Sequence, residues 1–206
     1  MGFNTRLVSP KDAPKRYEDL LNPLWKGHIA MDTGDARWYG YLANYWGREK
    51  TMDFCKKLAQ QDIIFRTGKT NQATLLAAGE FKILVTTYLD TMEGLKKMGA
   101  PLDWVYLDPV IFNGHPLFVA STAPHQNAAK LYYNFLLSDK GLDILASFGK
   151  IPPRRTKNTD RILAEYYTGL KGRIVAPKII ITATGETSEA FARNTDEFRA
   201  IFLKKK

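Results

Sequence analysis

Short apolar runs alternate with helix-period stretches along most of this chain, and that alternation predicts an α/β fold built on a mixed, mostly parallel sheet. A short helix is expected at Lys15–Leu21, entered through Pro14 and stopped by Pro23. A brief strand follows Gly27, over His28-Ile29-Ala30-Met31. Thr33 or Asp32 then caps a helix that carries Trp38, Tyr39, Tyr41, Tyr45 and Trp46 and ends near Gly47. The next helix turns Met52, Phe54, Cys55, Leu58 and Ala59 inward.

Shorter units come after it. The pattern gives a strand at Asp62–Arg66, a helix at Thr70–Ala78 stopped by Gly79, and a strand at Phe81–Val85. A helix at Asp90–Met98 closes on Gly99, and Trp104–Tyr106 is extended. From Val110 to Ala120 the chain reads as extended, with Asn113-Gly114 as a hairpin signal. A helix at Asn127–Leu137 is expected to bury Ala128, Leu131, Tyr132 and Phe135, and Ser138 starts another that ends near Gly149. Pro152-Pro153 is the clearest break. Beyond it lie a helix at Arg161–Thr168, an apolar run at Lys178–Thr182 and an amphipathic helix at Ser188–Leu203.

Composition changes this picture little. Apolar content of 45% and charged content of 25% over 206 residues are those of a globular protein with a sizeable core. No apolar run approaches the ~18–20 residues that span a bilayer, and no signal-peptide pattern opens the chain. A single cysteine, Cys55, excludes an intrachain disulfide and a cysteine-based zinc cluster, and its setting is that of a buried structural thiol. The net charge of +9 raises two readings, a nucleic-acid surface or a preference for anionic solutes. Basic residues are spread along the chain, apart from Arg154-Arg155 and the Lys204–Lys206 tail, and no nucleic-acid-binding motif is present, so nucleic acid is not expected as a partner.

Catalytic chemistry is not visible. His28, His115 and His125 are isolated from one another, and the chain holds no G-x-S-x-G elbow, H-E-x-x-H helix or C-x-x-C pair. Gly68-Lys69-Thr70 imitates the end of a phosphate-binding loop, but the glycine required five residues earlier is Ile63. A weaker reading survives: a Gly-Lys-Thr turn opening a helix points amide groups at an anion, and Asp32-Thr33-Gly34 opens the aromatic helix similarly. Each alone is an ordinary helix cap. Two such starts after two strands of one sheet form a cleft, because ligands sit beyond the carboxyl ends of strands. Thr86, Thr87 and Tyr88 also follow directly on a strand and offer hydroxyls for a polar solute or a hard cation; capping and ring packing are the plainer alternative.

The order of segments resembles a known family. Phe3-Asn4-Thr5 and Tyr17-Glu18-Asp19-Leu20-Leu21-Asn22-Pro23-Leu24-Trp25-Lys26-Gly27 are similar to the opening segment of extracellular solute-binding proteins of family 1, which include ferric-ion-binding proteins. Ala77-Ala78-Gly79-Glu80, Gly99 to Tyr106, Ala128-Ala129-Lys130, Phe135 to Ser138 and Phe198 to Phe202 resemble later segments in the same order. The resemblance implies a type II periplasmic-binding fold, in which two α/β lobes close by a hinge on a solute and present it to the membrane permease of an ABC importer. It implies lobe two at residues 1–109 and 138–206, with an excursion to lobe one at 110–137 and the rest of lobe one absent. Such a chain is expected in the periplasm or outside the cell, to dimerise through its exposed lobe-one surface, to need no cofactor and not to be an enzyme. Its ligand positions fall at Thr33, Gly34, Asp35, Lys69, Thr70, Thr86, Thr87 and Tyr88, for a small anion or for a ferric ion or other metal complex as cargo. Tyr88 is the one metal-ligand candidate, since the family's second adjacent tyrosine is missing here. A cytoplasmic effector-binding domain of a transcription regulator, or an enzyme on the same fold, are the alternatives.

Overall fold

The computed structural model describes residues 1–112, 115–166, 180–182 and 188–203. The chain divides into two compact units, Met1–Asn113 with Ala176–Lys206, and Gly114–Val175. The expected excursion at 110–137 straddles that division.

The first unit is built on a five-stranded mixed sheet. Its strands are β1 (Gly2–Asn4), β2 (Ile29–Asp32), β3 (Ile64–Arg66), β4 (Ile83–Leu84) and β5 (Leu102–Trp104), in the spatial order β3-β2-β4-β1-β5. β2 runs parallel to β3 and β4, whereas β1 is antiparallel to both β4 and β5. The carboxyl ends of β3, β2 and β4 therefore lie side by side on one edge of the sheet. Ile29, Ala30, Met31, Ile83 and Leu84 are fully buried, as apolar strands covered on both faces must be.

Each of these three strands runs directly into a helix. After β2 comes α1 (Ala36–Trp46), followed by α2 (Arg48–Ala59); after β3 comes α3 (Lys69–Ala78); after β4 comes α4 (Leu89–Lys97). The left-handed φ of 87° at Gly47 makes the tight joint between α1 and α2, a conformation that a side chain would resist. The expected helix at Lys15–Leu21 is a 3-10 helix over Tyr17–Leu21, and a second 3-10 turn spans Pro23–Trp25.

The core lies under this layer. Tyr17 meets Trp46 edge-on at 5.3 Å between ring centroids, and Trp46 meets Phe54 at 5.5 Å. Trp38, Tyr39, Leu42, Cys55 and Leu58 belong to the same buried cluster. Burial raises the Cys55 thiol well above its ordinary value, which fits an inert core residue. Helix α8 (Ser188–Phe202) packs on α1 and α2 through Phe198, and β6 (Val110–Phe112) pairs in parallel with β7 (Ile180–Thr182).

The expected hairpin turn at Asn113-Gly114 lies outside the described residues. Of the stretch Val110–Ala120 read as extended, Val110–Phe112 forms β6, whose described partner is β7, and residues 115–120 belong to no described strand. Among the described residues, the five consecutive apolar or proline positions 116–120 have no neighbouring strand with which to share backbone hydrogen bonds.

The second unit holds α5 (Gln126–Leu137), α6 (Asp139–Ser147) and α7 (Thr159–Tyr166). The Ser138 side chain accepts from the Gly141 amide at 3.2 Å, so the serine between α5 and α6 caps the second helix as its position suggests. The expected burial of Ala128, Leu131, Tyr132 and Phe135 is corrected: α5 has no buried residue, and Leu131 is 72% exposed and Tyr132 61%. Helical spacing identifies an apolar face without saying what covers it.

Candidate functional site

Three turns meet at the carboxyl edge of β3-β2-β4, and one buried carboxylate ties two of them together. Asp32, the last residue of β2, accepts the Gly34 amide at 2.8 Å on one oxygen. Its other oxygen accepts the Gly68 amide at 2.9 Å and the Gln72 side-chain amide at 2.6 Å. Gly68 is the residue before α3, with a φ of 90° that favours glycine, so its N–H turns back toward β2. The Thr33 and Thr67 hydroxyls share a hydrogen bond of 3.1 Å across the same gap.

A second cluster lies beside the first. Asp35, at the start of α1, accepts the backbone N–H of Asp32 at 3.1 Å. It also takes the Lys69 ammonium from α3 and the Thr86 hydroxyl from the end of β4, and Lys69 bonds Thr86 in turn. Asp35 is 5% exposed. Burial pushes its carboxyl above the ordinary value, an effect opposed by the Lys69 charge and by the hydrogen bonds from Lys69 and Thr86.

The capping expectation for Thr33 or Asp32 is corrected here. The residue preceding α1 is Asp35, without a side-chain cap bond, and the Asp32 carboxylate folds its own turn through Gly34 instead. Thr33 and Gly34 are exposed on that turn, and Thr70 is exposed in the first turn of α3. Thr86 is bonded to Asp35 and Lys69, whereas the Thr87 hydroxyl is buried without a hydrogen-bond partner. Tyr88 precedes α4, its carbonyl accepting the Met92 amide at 3.1 Å.

The eight expected positions thus lie on the segments that follow β2, β3 and β4, Lys69 and Thr70 as the first two residues of α3, and Asp35, Lys69 and Thr86 are in direct contact. Sequence reasoning did not assign Asp32, Thr67 or Gln72 to the site. Asp32-Thr33-Gly34 has the pattern of a turn closed by an aspartate side chain, which was the available signal for the first. Gln72 is wholly buried, and its carbonyl oxygen has no partner.

Chemically, the edge is rich in donors. The first-turn amides of a helix have no intrahelical acceptor, and the helix dipole places partial positive charge there. Three helices of 11, 10 and 9 residues begin within this edge. The two carboxylates are already satisfied, Asp32 by three N–H donors and Asp35 by Lys69, Thr86 and a backbone amide. Among the described residues no three His, Cys, Asp or Glu side chains stand together in a way that would hold a metal ion.

Comparison with solved structures shows the same fold. AfuA from Actinobacillus pleuropneumoniae, a periplasmic binding protein with exogenous fructose-6-phosphate bound, matches with a TM-score of 0.70 at 19% identity, over 99% of this chain and 66% of that one. Iron-bound HitA from Pseudomonas aeruginosa matches with a TM-score of 0.65 at 19% identity, over 98% and 66%. The spermidine/putrescine substrate-binding protein PotD from Streptococcus pneumoniae matches with a TM-score of 0.63 at 16% identity, over 97% and 64%. The chain therefore spans just under two thirds of the length of these proteins, and its fold is the type II periplasmic-binding fold. No curated protein sequence matches. Residues 1–166 match the family described as bacterial extracellular solute-binding protein, and the chain belongs to that family.

Proposed function

We propose that this chain carries the solute-binding half-site of an extracytoplasmic ABC-importer component, for a small anionic solute. The observation that supports this reading most directly is the convergence of the α1, α3 and α4 N-termini at one sheet edge, with Lys69 between them. Thr33, Lys69, Thr70, Thr86, Thr87 and Tyr88 offer hydroxyls and one ammonium to an oxyanion, and Gly34, its own amide held by Asp32, keeps the first turn open to it; Asp35 holds Lys69 in place until the solute arrives. In the intact protein, solute capture by hinge closure would present the cargo to a membrane permease, outside the cytoplasm. The role is binding rather than catalysis.

A metal complex is the second reading. Iron-bound HitA has this fold, and Tyr88 stands at the same edge. The Tyr88 phenol oxygen and the threonine hydroxyls are hard oxygen donors that suit a ferric ion carried with an anion. The donor-rich edge favours the anion as the part recognised.

Exposed Leu131, Tyr132 and Phe135 on α5 add an apolar face suited to self-association. Sedimentation of the wild type against Leu131→Glu tests that dimer; a wild-type monomer at high concentration removes it.

Calorimetric titration with inorganic phosphate, a hexose phosphate and ferric citrate tests the binding reading. A phosphate-bearing solute is expected to bind, more weakly as salt rises, and Lys69→Met is expected to abolish the heat. Absence of heat with all three solutes would sink it.

A further inference from the structure

Resting on the anion-site reading above, we propose that Asp32 is the positioning residue of the cleft, fixing the N-termini of α1 and α3 relative to each other. It need not touch solute. Its two oxygens bond the backbone of two different turns, Gly34 at 2.8 Å and Gly68 at 2.9 Å, which lie 34 residues apart in sequence. A backbone amide has one proton, so each turn is committed to this carboxylate and cannot shift without breaking a charge-assisted bond.

Burial makes the link strict. Asp32 is 8% exposed, and water does not readily replace a partner at such a site. Gln72 supplies the third bond at 2.6 Å from inside α3, so helix and preceding turn move as one piece against β2. Across the same gap the Thr33 and Thr67 hydroxyls share an exposed, neutral bond, and the Thr33 amide donates to the Arg66 carbonyl at 3.2 Å; neither bond reaches Gly34 or Gly68. Lys69 follows Gly68 directly and Asp35 follows Gly34 directly, so an error in either turn is passed on to the Lys69–Asp35 contact. An asparagine has the same shape but offers one acceptor oxygen; its amide nitrogen would face the Gly68 N–H or the Gly34 N–H, donor against donor.

The test uses the full chain and two variants, Asp32→Asn and Asp32→Ala, with amide hydrogen exchange at four glycines as the first readout. Exchange at Gly34 and Gly68 is expected to rise together, at least about tenfold, in Asp32→Asn, while Gly79 and Gly99 stay unchanged. A general loss of stability would raise all four. The second readout is affinity for inorganic phosphate, expected to fall about tenfold in Asp32→Asn. Should Asp32→Ala fail to fold, the asparagine variant alone decides. Retained protection at Gly34 and Gly68, or loss at only one of them, overturns the proposal. Wild type that binds no phosphate overturns the anion reading instead, and the glycine readout still decides whether Asp32 couples the two turns.

Discussion

The Lys69 ammonium is bonded to the Asp35 carboxylate, so the first residue of α3 is tied to the residue that precedes α1. The pair sits at the sheet edge where solute is proposed to bind, and its partners differ in burial: the Asp35 side chain is 6% exposed and the Lys69 side chain 19%. That asymmetry decides what each substitution does.

Lys69→Met is expected to destabilise the chain more than Asp35→Asn. Removing the lysine leaves a buried carboxylate without its cation, which costs about 3–5 kcal/mol for a wholly buried pair. Here the cost is expected near 2–3 kcal/mol, because the lysine end of the pair reaches water and Thr86 keeps one bond to Asp35. Removing the carboxylate leaves a lysine that can turn outward. Urea unfolding of the two single variants and the double variant measures the order, and a larger loss in Asp35→Asn refutes it.

The same pair gives a pH dependence with a definite sign. Burial holds the folded Asp35 carboxyl above its unfolded value, against the opposing pull of Lys69 and Thr86. The folded chain therefore keeps this proton to higher pH than the unfolded chain does. Its contribution to stability is fully present below the unfolded pKa and is lost as pH rises through the folded one. The stability of wild type relative to Asp35→Asn is thus expected to increase on acidification from neutrality into the carboxylate range. Unfolding free energies of both proteins across that range check the slope; a difference that shrinks on acidification contradicts it.

Gly141→Ala is expected to disrupt the second unit although alanine is the better helix former. A Cβ at Gly141 would lie 2.1 Å from the Phe135 carbonyl oxygen and 2.8 Å from Leu136, both backbone contacts of the preceding helix. Backbone cannot step aside as a side-chain tip can, so α5 and α6 must separate, at about 1–3 kcal/mol or more. Gly2→Ala is the contrast: its Cβ meets the Met92 methyl at 2.7 Å, and that flexible end can move. Proteolysis within residues 115–166 should accelerate in the first variant and not in the second.

Much of the first unit was legible because its signals are local. Gly47, Gly79 and Gly99 stop helices where left-handed φ is required, and the short apolar strands sit between them. β1 was not legible as a strand. Three residues, Gly2-Phe3-Asn4, carry no period, and they form a strand only because β4 and β5 lie on either side. The candidate site was half legible for the same reason: segments after strands point to Thr33, Lys69 and Thr86, whereas the Asp32–Gly68 bond depends on β2 and β3 being neighbours. Burial on α5 failed because spacing describes a face and not its partner.

Glu197 supplies the last expectation, on how α8 is held against the core. Its carboxylate takes the Tyr39 hydroxyl at 2.6 Å from α1 and the Arg48 guanidinium from α2, and Arg48 also reaches Asn194 at 3.2 Å. Partial burial works to raise the Glu197 carboxyl, but the bonds from Tyr39 and Arg48 overcome it and hold the group below its ordinary value. A depressed carboxyl adds stability above its unfolded pKa and loses it as pH falls through the folded one. Burial and the nearby carboxylate also raise the Tyr39 phenol. Glu197→Gln is expected to cost about 1 kcal/mol at neutral pH, since the pair is partly solvated, and to cost less in acid, where wild type has lost the charge too. Hydrogen exchange localised to 188–203 gives the readout. Equal protection of α8 in wild type and variant at neutral pH would show that Phe198 packing alone holds the helix.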